Sequence, residues 1–142
     1  MKTPAALATA LAAAALIVTP GLAQARPDAK APDKEGEAKL AKMLEGRVAG
    51  EPVSCIPVSQ TTNTTVIKNT AIVYRVGSTL YVNRPNNADQ LDGDDILVTK
   101  LYGSQLCSVD TIELRDRNTS FMWNGFVSLN KFVPYRKGKA AH

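Results

Sequence analysis

The 142-residue chain predicts a mainly β fold: a small antiparallel β-sandwich or partly open barrel of six to eight short strands, with one short N-terminal helix. Three observations carry that expectation. After Pro52 the residues Val, Ile, Thr and Tyr dominate runs of four to seven, and Gly, Asn, Asp and Pro separate the runs. The pair Gly77-Ser78 stands between two such runs, where a two-residue turn folds them into a hairpin. Two cysteines, Cys55 and Cys107, enclose much of the β region in a chain whose one histidine is the terminal His142.

The elements follow in chain order. Lys2 supplies a basic start, Ala5 to Val18 is an apolar run, Pro20-Gly21 breaks a helix, and Ala23-Gln24-Ala25 places small residues at a cleavage point. This predicts a cleavable signal peptide over residues 1–25 and a mature chain beginning at Arg26. The competing reading, an uncleaved anchor, suffers from the weak hydrophobicity of Ala and the early break. No cysteine stands at the cut for lipid attachment, and no later run is apolar enough to span a bilayer. The address implied is periplasmic or secreted, without stable membrane insertion after cleavage. Residues 26–36 carry no large apolar side chain and predict a flexible leader. A single disulfide-closed domain is expected over 37–136, with a flexible tail over 137–142.

Glu37 to Val48 shows helical spacing, with Leu40, Met43, Leu44 and Val48 on one stripe and Gly46 and Gly50 ending it. Strands are expected over Val53–Ile56, Thr64–Lys68, Thr70–Val76 and Thr79–Arg84. A type II′ turn at Gly77-Ser78 fixes the register, setting Val76 against Thr79, Tyr74 against Tyr81 and Val73 against Val82. One face of this hairpin then carries Ala71, Val73, Leu80 and Val82, and the other Ile72, Tyr74, Val76 and Tyr81. Both faces are apolar, so the hairpin belongs near the middle of a sheet, under the helix stripe or a second sheet. Asn86 to Asp95 reads as a polar loop. Ile96–Tyr102 and Asp110–Arg115 read as strands, with Gly103-Ser104 as a turn and Leu106 leading into Cys107. Asn124-Gly125 reads as a hairpin turn between Phe121-Met122-Trp123 and Phe126-Val127, and the last strand is expected to end before Pro134.

Composition narrows the function classes. The charge of +4 falls to +3 once Lys2 leaves with the signal peptide, and the charges are interspersed, so nucleic acid is not an expected partner. Arg136, Lys137 and Lys139 form only a short basic stretch. In an oxidising compartment Cys55 and Cys107 read as one structural disulfide. Neither a Cys-x-x-Cys spacing nor histidine partners support a redox or metal pair. Ser-His and Cys-His catalysis lack a base within the body of the chain. The acidic group Asp89, Asp92, Asp94 and Asp95 is out of step with a calcium loop and lacks its closing glutamate, which leaves loop formation as its role. No metal or cofactor is expected. Paired-carboxylate hydrolysis would have to draw on Asp92, Asp94, Asp95, Asp110, Glu113 and Asp116. The candidate binding residues are aromatic: Tyr74 facing Tyr81 as a platform or as a core pair, and Trp123 as a hairpin-tip anchor or a lid on the core.

Cys55-Ile56-Pro57, Thr70 to Tyr74, Leu80 to Pro85, Asp94 to Thr99, Gly103 to Ser108 with Asp110, and Phe132 to Tyr135 together resemble a family of small exported proteobacterial proteins with no known activity. The resemblance spans Gly46 to Arg136. It implies a periplasmic home, supports the pairing of Cys55 with Cys107, and assigns no catalytic residue. The expected function is a non-catalytic binding or inhibitor-type domain acting on an envelope protein or glycan. An Asp/Glu hydrolase and a structural envelope protein are the alternatives.

Overall fold

A computed structural model describes residues 33–138. The predicted signal peptide, the leader up to residue 32 and residues 139–142 lie outside that range. The elements in order are α1 (Lys34–Met43), β1 (Arg47–Ala49), β2 (Cys55–Pro57), β3 (Thr61–Ile67), β4 (Ala71–Val76), β5 (Thr79–Asn83), β6 (Ile96–Thr99), β7 (Gln105–Cys107), β8 (Thr111–Arg115), β9 (Trp123–Ser128) and β10 (Phe132–Lys137). The strands form three antiparallel sheets: β1-β10-β5-β4-β3, β6-β8-β9 and the pair β2-β7. The fold is mainly β and sandwich-like, with no closed barrel. The ten strands among the described residues exceed the six to eight expected because several are only three residues long.

The β4–β5 hairpin has the register expected from its turn, with Val76 opposite Thr79, Tyr74 opposite Tyr81 and Val73 opposite Val82. Gly77 takes φ 58°, the left-handed value that a type II′ turn requires at its first central residue. Both apolar faces are covered. On one side Ala71, Val73, Leu80 and Val82 join Ile67 and Leu40 of α1, with Met43, Leu44 and Tyr135 packed around them. On the other, Ile72 and Tyr74 join Phe132, and the smaller sheets contribute Ile56, Leu106, Ile112, Leu114 and Val127. The large sheet is thus the middle layer between a helix and two small sheets, and it shares two cores.

Strand ends shift by one to three residues from the sequence reading, with β2 starting at Cys55 instead of Val53, β3 at Thr61 instead of Thr64, and β6 stopping at Thr99 instead of Tyr102; four further departures bear on the architecture. The helix starts at Lys34 because Asp33 caps it, accepting hydrogen bonds from the backbone N–H groups of Glu35 and Gly36 at 3.1 and 3.4 Å. The domain therefore begins before Glu37, and the last residues assigned to the leader belong to the helix. It ends at Met43, and the chain reverses at Gly46 (φ 69°) into β1, which leaves Val48 exposed on a strand instead of on the helix stripe. At the other end β10 runs through Pro134 to Lys137, with Lys137 opposite Arg47. Pro134 is tolerated because it lies just past the β1 ladder: its carbonyl still accepts from Gly50 N–H at 2.7 Å, and the next pairing on that edge is the isolated Val53–Phe132 bridge, so the missing donor interrupts no regular ladder.

The fourth departure is at Asn124-Gly125, which lie within β9 and form no turn. The pairing passes from Leu114–Gly125 to Arg115–Trp123, so Asn124 is the extra residue of a β-bulge and Gly125 supplies its left-handed φ of 113°. The same Asn-Gly chemistry that suits a hairpin turn suits a bulge. The reversal itself falls earlier, over Asp116 to Met122, where the Asp116 carboxylate accepts from the N–H groups of Asn118 and Thr119 and Asp116 N–H donates to Met122 O at 2.9 Å.

Cys55 and Cys107 form a disulfide between β2 and β7, where they are direct cross-strand partners with Cα atoms 4.0 Å apart. Strands of three residues hold few ladder bonds. The covalent link across a sequence separation of 52 constrains the unfolded chain by about 4 kcal/mol in the chain-entropy model. No helix among the described residues is long and apolar enough to cross a membrane.

Candidate binding surface

The three aromatic residues singled out by sequence do not converge. Tyr74 and Tyr81 are neighbours across the β4–β5 hairpin, but Tyr74 is only 5% exposed and its ring meets Phe132 edge-on with centroids 5.8 Å apart. It is a core residue, and Tyr81 packs half-buried against the same cluster. Neither offers an open stacking face. Trp123 lies on β9, in a different sheet, and is 62% exposed.

Around Trp123 the chain builds a surface. Phe121, Met122 and Phe126 are 62%, 65% and 49% exposed, so four large apolar side chains within six residues face solvent. The strand alternation explains half of this. Ile112, Leu114 and Val127 fill the core, which turns Val98, Glu113 and Phe126, partners in one row across β6, β8 and β9, to the outer face. The bulge at Asn124 shifts Trp123 into register with Arg115 in the next row. Arg115 pairs with Glu113 along its strand at 3.0 Å, which sets a charged seam between the β6 and β9 sides of the face.

The loop explains the other half. Ser120 and Phe121 both have left-handed φ values, 54° and 60°. For a bulky residue such as Phe this conformation costs on the order of 1–3 kcal/mol and persists only where its surroundings enforce it. Here Met122 N–H donates to Thr119 O at 3.0 Å, and the Arg115 guanidinium donates to Phe121 O at 3.4 Å. In this loop Phe121 stands exposed to solvent. Sequence reasoning placed Phe121 and Met122 on a strand and so missed them as loop residues; the Asp116-x-Asn118 turn chemistry was the available signal.

The exposed edge of β9 is closed by a side chain. Asn87 donates from Nδ2 to Phe126 O at 2.8 Å and accepts from Ser128 N–H at 2.9 Å, so its amide takes the place of a further strand. A second amide, Asn83, is fully buried and exchanges hydrogen bonds with the backbone of Asn130, locking the turn between β9 and β10.

Of the six candidate carboxylates, all but the exposed Asp94 have local partners among the described residues, Glu113 through Arg115. Asp95 is buried and accepts from Asp92 N–H at 2.7 Å and from Asn124 Nδ2 at 2.9 Å. Asp92 pairs with Lys68 at 3.3 Å, Asp110 accepts from Cys107 N–H at 2.7 Å, and Asp116 holds the loop described above. Among the described residues no three His, Cys, Asp or Glu side chains come together as a metal ion would need. Elsewhere, the Arg84 guanidinium engages Glu37 of α1 through both carboxylate oxygens, which holds the Glu37 carboxyl below its ordinary range and raises the guanidinium further. The Asp33 carboxyl is lowered as well, first by the Asn69 amide and then by the capped Gly36 N–H. No protein-family model, curated protein or solved structure matches this chain.

Proposed function

We propose that the protein is a non-catalytic binding domain, exported to the periplasm or secreted, that docks on an envelope protein through Phe121, Met122, Trp123 and Phe126. One observation carries the reading: four large apolar side chains within six residues are exposed to solvent, two of them in a loop with left-handed backbone at Ser120 and Phe121. Trp, Phe, Met and Arg are enriched at the centres of protein interfaces, and Arg115 stands beside the cluster. The mixed shapes of Phe and Met suit a protein groove better than the flat face of a sugar. The engagement of Asp92, Asp95, Asp110 and Asp116 with nearby N–H and ammonium groups supports the non-catalytic part. The disulfide supports an oxidising compartment. The resemblance to small exported proteobacterial proteins points the same way.

Cross-linking in a periplasmic extract of the host tests this against a surface variant. The wild-type protein is expected to recover a stoichiometric protein partner, and Trp123→Ala to lose at least tenfold in recovery with an unchanged melting temperature. Recovery of a glycan, or equal recovery by both forms, would refute it.

A further inference from the structure

A cleft of about 320 Å³ opens between the large sheet and the two small ones, and it adjoins the Trp123 surface only at its lining residues Asp95, bonded to Asn124, and Arg117, in the Asp116–Met122 loop. Its walls are Val58, Val66, Leu97 and Leu101, half-buried, and its most buried lining residues include Leu106 and Tyr74. Tyr74 is the unusual member. It is more than nine-tenths buried, yet its hydroxyl has no hydrogen-bond partner among the described residues. A buried polar group without a partner is expensive, and natural cores hold few of them. The hydroxyl is closed to solvent, and Tyr74 lines the cleft, so the side from which a partner can reach it is the cleft. Burial also pushes the phenol pKa well up, so Tyr74 stays protonated and can donate.

From this geometry we infer that the cleft binds a small, uncharged apolar molecule that carries a carbonyl-type oxygen, with the Tyr74 hydroxyl donating to that oxygen. The apolar walls select the body of the ligand and the phenol selects the acceptor, the usual division of labour in small-molecule sites. The volume lies at the lower end of the range for such sites, which limits the ligand to a compact ring or a short acyl group. The charged residues of the lining argue for neutrality. Asp95, buried, disfavours an anion, and Arg117 at the exposed rim disfavours a cation.

The test uses two probes of matched shape, acetophenone with a carbonyl oxygen and cumene without one. Binding is followed through the methyl resonances of the disulfide-bonded protein. Acetophenone is expected to shift the methyls of Val58, Val66, Leu97, Leu101 and Leu106 saturably, and to bind about tenfold more tightly than cumene, the value of one buried hydrogen bond. In Tyr74→Phe that preference should vanish while cumene binds as before. The empty variant should melt at the same temperature or several degrees higher, since it loses an unpartnered group, and this also shows that it folds. Absence of saturable shifts, shifts centred on Phe121 to Phe126, or a carbonyl preference that survives Tyr74→Phe would each overturn the assignment.

Discussion

Gly36 stands in the first turn of α1, where helix propensity alone would favour almost any other residue. Its place is explained by what a side chain would strike. A Cβ there would collide with Thr70 Oγ1 and lie 2.8 Å from the Lys68 carbonyl oxygen. Thr70 cannot simply turn away, because its hydroxyl donates to Lys68 O at 2.8 Å, and the carbonyl itself is backbone. Close approach at this point also brings the Asp33 carboxylate within 3.2 Å of the Asn69 amide, so one aspartate caps the helix and ties it to the β3–β4 turn. Gly36→Ala gains about 1 kcal/mol of helix propensity. It is nevertheless expected to destabilise the protein by about 1–3 kcal/mol through overpacking. Urea unfolding at neutral pH measures the difference, and a variant more stable than the wild type would contradict the close contact. Before the fold is known, Gly36 is indistinguishable from the other small and polar residues that precede the helix. The reason for it sits more than thirty residues away.

At the level of elements, the legible parts were those whose determinants are local. The β4–β5 register follows from Gly77-Ser78 and from alternation on each strand, and Leu40, Met43 and Leu44 follow from helical spacing. What escaped were pairings between distant segments. Nothing near Arg47–Ala49 announces a strand, since its partner is β10. Asn124-Gly125 is compatible with a turn or a bulge, and only the register with β8 decides between them. The site was half legible for the same reason: Trp123 stood out by residue type, whereas the burial of Tyr74 depended on which face the second sheet covers. The helix–sheet junction carries its own prediction. Glu37 on α1 and Arg84, just beyond β5, form a two-point ion pair that is partly exposed, so its contribution is about 0.2–1 kcal/mol after solvent screening. Because folding lowers the Glu37 pKa, this contribution is complete above the ordinary value of 4.5 and is lost as pH falls through the lower folded value. Glu37→Gln should therefore be less stable than the wild type at pH 7, and the gap should close as pH drops below 4.5. Asp33 shifts in the same direction but is present in both proteins, so the difference isolates Glu37. A gap that stays constant from pH 7 to pH 3 would show that the ion pair is not its source.

Across the whole molecule, the large sheet is flanked by two cores that have no residue in common but share strands. β4 sends Ala71 and Val73 to the helix side and Ile72 and Tyr74 to the other, and β5 divides Leu80 and Val82 from Tyr81 in the same way. Neither core can dissolve without exposing one face of the strands that the other core needs. The disulfide adds to this linkage by joining β2 and β7, which contribute Ile56 and Leu106 to the larger core. A single cooperative transition is the expected consequence. Leu40→Ala removes a fully packed side chain from the helix-side core, and Ile112→Ala does the same in the larger one. Each should cost about 2–5 kcal/mol. The informative reading is coincidence. Far-UV circular dichroism at 222 nm weights the helix, and tryptophan fluorescence reports Trp123 in the β6-β8-β9 sheet. In the wild type and in both variants the two signals should give the same midpoint on urea unfolding, even though each mutation lies in only one core. If Leu40→Ala lost its helix signal at lower urea than its fluorescence, α1 would be an appendage that detaches alone, and the middle sheet would not couple the layers on its two sides.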